Sequence, residues 1–149
     1  MSSRMIFFKC IITIMAVLVS GCGSVDITQQ GPEPLSLLEL SPLDNEMNVA
    51  PIVDVVAVFS APVTLAEGDS NLNEQTFFVR LDGGDKLDSV VTLSTPSDDE
   101  NSDMGNTAVI RLKDLQPGTS YSIFVSGKLT GKNTGPLGVD VHSLFTVTQ

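Results

Sequence analysis

The 149-residue chain has no tryptophan, one tyrosine, one histidine and two cysteines, and its basic residues number 8 against 18 acidic ones, a formal charge of -10. Each shortage closes off a class of function. Nucleophilic catalysis needs a base beside the nucleophile. The sole histidine, His142, lies just before the last strand, and no Gly-x-Ser-x-Gly elbow occurs in the chain. No Walker loop or dinucleotide fingerprint occurs; the glycine-rich segment at 131–138 lacks phosphate-cradling spacing and reads as a turn. An acidic chain carries the wrong field for nucleic acid and for anionic lipid head groups. No enzyme is expected. What remains is 42% hydrophobic and 17% charged residues, a composition that folds.

The first 22 residues have their own pattern. Arg4 and Lys9 bracket a basic start, and residues 10–19 form an apolar run too short to span a membrane. This order of charge and apolar run is that of a secretory signal. The run ends Leu18-Val19-Ser20-Gly21-Cys22, which resembles the lipobox of bacterial lipoproteins. The resemblance implies cleavage after Gly21 and acyl chains on Cys22, and several acyl chains together give stable attachment. Cys10 departs with the leader, so no disulfide is left to form. Loss of Arg4 and Lys9 leaves six basic residues against eighteen acids, a charge of -12. Gly23, where an Asp would favour inner-membrane retention, implies the outer membrane in a Gram-negative host. Residues 22–36 are rich in Gly, Pro, Gln and Ser and read as a lipidated flexible tether.

From residue 37 to 149 short β-type runs alternate with turn residues, and no helical stretch of useful length occurs. Strands are expected at 37–41, 52–60, 76–81, 89–94, 107–112, 120–126 and 143–148. In the second of these Val53, Val55, Ala57 and Phe59 share the buried face. Asp82-Gly83-Gly84-Asp85 marks a turn, and Pro62 ends a strand because it has no N–H to donate. Seven strands of this length imply an all-β antiparallel sandwich.

Three segments carry a family resemblance. Residues 41–51 (Ser-Pro-Leu-Asp-Asn-Glu-Met-Asn-Val-Ala-Pro) lead into 55–63 (Val-Val-Ala-Val-Phe-Ser-Ala-Pro-Val); then come Leu112-Lys-Asp-Leu-Gln-Pro-Gly-Thr-Ser-Tyr121 and a closing Leu144-Phe-Thr-Val147. Together they resemble the bacterial Ig-like domain of surface-layer and other envelope proteins. The resemblance implies an Ig-like sandwich in which Tyr121 is the structural corner tyrosine, its ring inward and its hydroxyl capping a backbone group upstream. The Cys–Trp–Cys core of antibody domains is absent. A related sandwich of the periplasmic copper-resistance type shares the Ser-Pro-x-Asp-Asn start, but its ligands include a free N-terminal histidine, where the lipobox would place acylated Cys22, and the only histidine here is His142.

One cluster could do chemistry. In residues 98–106, Asp-Asp-Glu-Asn-Ser-Asp-Met-Gly-Asn, the side chains of Asp99, Asn101 and Asp103 alternate as oxygen ligands do in calcium loops. Gly105 comes one residue late for the EF-hand turn, and Ile110 stands where the closing acid belongs. Asp82, Asp85 and Asp88 form a second acidic turn. The expectation is therefore a lipid-anchored envelope protein whose Ig-like domain is a non-catalytic interaction or structural module, binding an envelope protein or a glycan through loops at the end distal to the tether. The alternative is a calcium-dependent adhesion or matrix module using Asp99, Asn101 and Asp103.

Overall fold

The computed structural model describes residues 31–94 and 104–149. The lipobox, Cys22 and the cluster Asp99, Asn101 and Asp103 lie outside them. Eight strands build the described part: β1 (Leu37–Ser41), β2 (Glu46–Val49), β3 (Val53–Thr64), β4 (Phe77–Leu81), β5 (Val91–Ser94), β6 (Met104–Leu112), β7 (Ser120–Val125) and β8 (Val141–Val147). They form two four-stranded sheets, ordered β1-β3-β6-β5 and β2-β8-β7-β4. Without β2 this is the four-plus-three arrangement of a constant-type Ig sandwich.

Period-two alternation decides the core. Val55, Ala57 and Phe59 of β3 are fully buried, and Val53 packs at their edge. Ala108 and Ile110 of β6 face them, with Ile123 and Val125 of β7 and Phe145 of β8 opposite on the other sheet. These β-branched and aromatic side chains suit a pleated, half-buried surface. The described residues include neither cysteine nor tryptophan, and the two sheets are held by this aliphatic and Phe layer.

The family motifs have structural work. Leu115 is buried; Gly118, at φ +69°, turns the chain and donates its N–H to Val147 O at 3.1 Å. The Tyr121 ring stacks on Phe145 with centroids 5.7 Å apart, and its hydroxyl accepts the Gln116 N–H at 3.0 Å. In the Ser-Pro-x-Asp-Asn start, which contains a cis Ser41–Pro42 bond, Asp44 Oδ1 accepts the Leu144 N–H at 3.0 Å and Asn45 donates its N–H to Leu144 O at 2.7 Å. That pair locks the first segment onto the last strand.

Four details depart from the expectations above. An eighth strand, β2, runs parallel to β8, so the sandwich is not wholly antiparallel. Its Glu-Met-Asn-Val sequence buries only Val49, and Asn48 sits at φ +64°, which hides the period. β3 does not stop before Pro62 but continues to Thr64. Its register against β6 slips between Val58 and Val63, and in that irregular stretch Pro62 needs no donor while its carbonyl accepts the Lys132 N–H at 2.7 Å. His142 lies within β8 rather than before it. Finally, the domain takes in residues assigned to the tether. Leu35 is 2% exposed and donates its N–H to Gly135 O at 3.1 Å, and Gly135 donates to Glu33 O at 2.8 Å. The glycine-rich segment makes room for Leu35: a Cβ on Gly131 would meet Leu35 Cδ1 at 2.8 Å.

Candidate functional site

The outer faces of the two sheets differ. On the first sheet Val56, Val58 and Val109 are half-buried, with Asp54 and Arg111 cross-strand neighbours at one end. Arg111 Nε and Nη2 each donate to an Asp54 carboxylate oxygen at 2.7 Å. This fork holds the Asp54 carboxyl below its ordinary range and pushes the guanidinium up. The two groups are spent on each other in the open, where such a pair contributes little.

The outer face of the second sheet carries rings. Two adjacent phenylalanines in a strand must point to opposite faces. Phe77 therefore enters the core while Phe78 stands outside, half-exposed. Cross-strand register sets Phe78 opposite Phe124 and Phe124 opposite His142. The Phe78 and Phe124 rings stack with centroids 4.8 Å apart, and the His142 ring meets Phe124 edge-on at 5.2 Å. Lys86 Nζ lies 5.5 Å from the Phe78 centroid, a cation over a ring face. The next row holds Arg80, Ser122 and Leu144, with Arg80 Nε donating to Ser122 Oγ at 3.1 Å.

Beyond Phe124 lies a shallow open cavity of about 280 Å³. Asp69, Gln75, Lys128 and Asp140 stand round it, and Thr76 and Ser126 close its floor. Its far wall is the 65–76 loop, organised by Asn73. The Asn73 Nδ2 group donates to Ala66 O at 3.0 Å, Gly68 O at 2.9 Å and Asn71 O at 3.2 Å. Its Oδ1 accepts the Gln75 and Thr76 N–H groups at 2.8 and 3.3 Å, as an N-cap does. At the opposite wall Asp140 Oδ1 accepts the Gly127 N–H at 2.7 Å.

None of these face residues stands out in the sequence as a binding site. The signal was present: Phe77-Phe78 in one strand, and Phe124 beside Ile123 in another, must each leave one side chain outside. The second acidic turn is exposed, with Asp82 donating its N–H to Ser120 O and Asp85 O accepting the Leu81 N–H. Among the described residues no three His, Cys, Asp or Glu side chains converge to hold a metal ion.

A layered sandwich with Ig strand order and a ringed outer face defines a β-sandwich domain of the Ig class. A family model described as a bacterial Ig-like domain matches residues 32–147, and the chain belongs to that family. The match begins near the point where Leu35 enters the core. A comparison with curated proteins finds no match. Among solved structures, native alpha-2-macroglobulin from Escherichia coli, spanning domains MG0-NIE-MG1, is similar at 21% identity and a TM-score of 0.49. That likeness covers 81% of this chain and 34% of the other, so the chain spans about a third of that structure.

Proposed function

We propose that this protein is a non-catalytic interaction module of the bacterial cell envelope, anchored by acyl chains on Cys22 and presenting its β4–β7–β8 face to an envelope protein or a glycan. The observation that carries the binding half is the half-exposed row Phe78–Phe124–His142. Rings left half in water on an outer sheet face gain when a partner covers them, and aromatic residues are enriched at the buried centres of interfaces. What supports the anchor half is the order of basic start, apolar run, small residues and cysteine in residues 1–22. The residues after the cysteine favour the outer membrane in a Gram-negative host.

One experiment in the producing bacterium tests both halves. The full chain is labelled with a palmitate analogue, as wild type and as Cys22→Ser. A photoreactive phenylalanine derivative replaces either Leu144, on the ringed face, or Thr92, on the outer face of the other sheet. Lipid label on the wild type alone, with crosslinked species from position 144 and not 92, is the expected result. Equal label on Cys22→Ser removes the anchor. Crosslinking as efficient from 92 as from 144 removes the face.

A further inference from the structure

We propose that the cavity beside Phe124 is a subsite for one uncharged pyranose ring of a glycan. This deepens the interaction-module reading and rests on it, since it takes the β4–β7–β8 face as the binding face. Size comes first. At about 280 Å³ the cavity lies just below the usual ligand-pocket range of roughly 300–1,000 Å³, room for a single sugar ring and too little for a nucleotide.

The second observation is where hydrogen-bonding capacity is spent and where it is not. The floor is closed: Thr76 Oγ1 donates to Asn71 O at 2.7 Å, and Ser126 Oγ accepts the Lys128 N–H at 3.2 Å. The rim is open. Asp140 uses Oδ1 on Gly127 and keeps Oδ2 without a partner among the described residues. The Gln75 side-chain amide has none there either. Lys128 Nζ commits one of its three protons, to Asp69 Oδ2 at 3.0 Å. An acceptor, an amide that both donates and accepts, and an ammonium donor thus surround one small space. Neighbouring hydroxyls of a sugar each donate and accept, and so match this mixed set where a plain apolar group would leave it dry and unpaired.

The wall supplies the third argument. Phe124 lines the cavity, and the C–H groups of a pyranose can pack against the part of the ring that Phe78 and His142 leave uncovered. Phe124 is braced by Phe78 and His142, so little rotamer freedom is lost on binding. The charges select further. Asp69 and Asp140 outnumber Lys128 at the cavity, and the whole chain stands at -10, so uronates and phosphates are repelled. An added peptide strand has little to pair with along β4, because Leu81 donates its N–H to Asp85 O at 3.0 Å and Val79 O accepts the Leu87 N–H at 2.8 Å.

The test uses the full chain in a zwitterionic, sugar-free detergent and ligand-observed saturation-transfer NMR. The probes are cellotetraose, chitotetraose and, as the anionic control, tetragalacturonate, each at about 10 mM to reach weak single-ring sites. Transfer to at least one neutral oligosaccharide and none to the galacturonate is expected. Phe124→Ala and Gln75→Ala each weaken binding by about tenfold, the scale of one lost ring contact or hydrogen-bonding group. Thr92→Ala leaves it unchanged. Phe124→Ala also removes packing from Phe78, whereas Gln75 is exposed and its side chain supports nothing in the fold, so the Gln75 variant keeps the test open if the other unfolds. No transfer from the folded chain to either neutral sugar, or transfer that survives Gln75→Ala and a folded Phe124→Ala, overturns the subsite. If sugars fail while position 144 still crosslinks selectively to a protein, the subsite falls and the interaction face stands; if both fail, the face falls as well.

Discussion

Asn73 holds the loop that walls the cavity, and its removal should be felt in both stability and binding. The side chain has two amide protons for three carbonyls, those of Ala66, Gly68 and Asn71, and one oxygen for two backbone N–H groups, those of Gln75 and Thr76. At most about four net hydrogen bonds are made, each worth about 1 kcal/mol, and water recovers part of the loss because the residue is only half-buried. Asn73→Ala should therefore cost about 2–3 kcal/mol, of which about 1 is the N-cap. For a domain of this size that lowers Tm by about 8–12 °C. The assay is urea denaturation of the full chain followed by far-UV circular dichroism, since the chain has no tryptophan to report. Asn73→Asp separates the two roles. It keeps the accepting oxygen of the cap, loses both donors, and sets a negative charge against three carbonyl dipoles. It should destabilise at least as much as alanine. An alanine variant within about 0.5 kcal/mol of wild type, the scale of an ordinary surface change, would refute the account. So would an aspartate variant as stable as wild type, since the donors would then be idle.

Three other perturbations follow from the geometry. Tyr121→Phe deletes the oxygen that accepts the Gln116 N–H and should cost about 1 kcal/mol in the same assay, while Tyr121→Ala, which also empties a buried site against Phe145, should cost about 3–5 kcal/mol. Near-equality of the two would mean that the ring contributes nothing. Gly127→Ala places a Cβ 2.6 Å from the backbone carbonyl carbon of Val139 and should lower stability by about 3 kcal/mol or more; a variant that melts with wild type would show that the 139–140 backbone yields freely. Asp54 has its carboxyl held below 3.8 by the Arg111 fork, so its contribution is intact above the unfolded-state value and fades as pH falls through the lower folded one. The urea-midpoint gap between wild type and Asp54→Asn should be steady near pH 6 and close below 3.8; a gap independent of pH would exclude the ion pair as its source.

The fold was readable where side-chain period and burial agree. Val55, Ala57 and Phe59, or Ala108 and Ile110, alternate with outward residues, and no other element type accommodates that pattern. β2 was not readable, because its pairing is set from a distance by Asp44 and Asn45 on Leu144 and its own side chains are mostly in water. The continuation of β3 past Pro62 was hidden because a proline signals an end unless an irregular register removes the need for its N–H. The proposed binding face was half-readable. Two adjacent phenylalanines announce an outward ring, but only cross-strand register brings Phe78, Phe124 and His142 into one row. Asn73 looked like an ordinary loop polar residue, since its worth lies in three carbonyls that converge only after the loop has folded.

The lock between Asp44 and Leu144 joins residues 100 positions apart, and among the described strands β2 lies against β8 alone. Closing so long a loop must precede any reward from the contact, which makes folding slow, on the scale of milliseconds to seconds for domains of this topology. β7 can pair with β4 as soon as it is made, but β2 stays unpaired until β8 has emerged. A truncation that removes β8 therefore leaves β2 without a partner and bares one edge of β7.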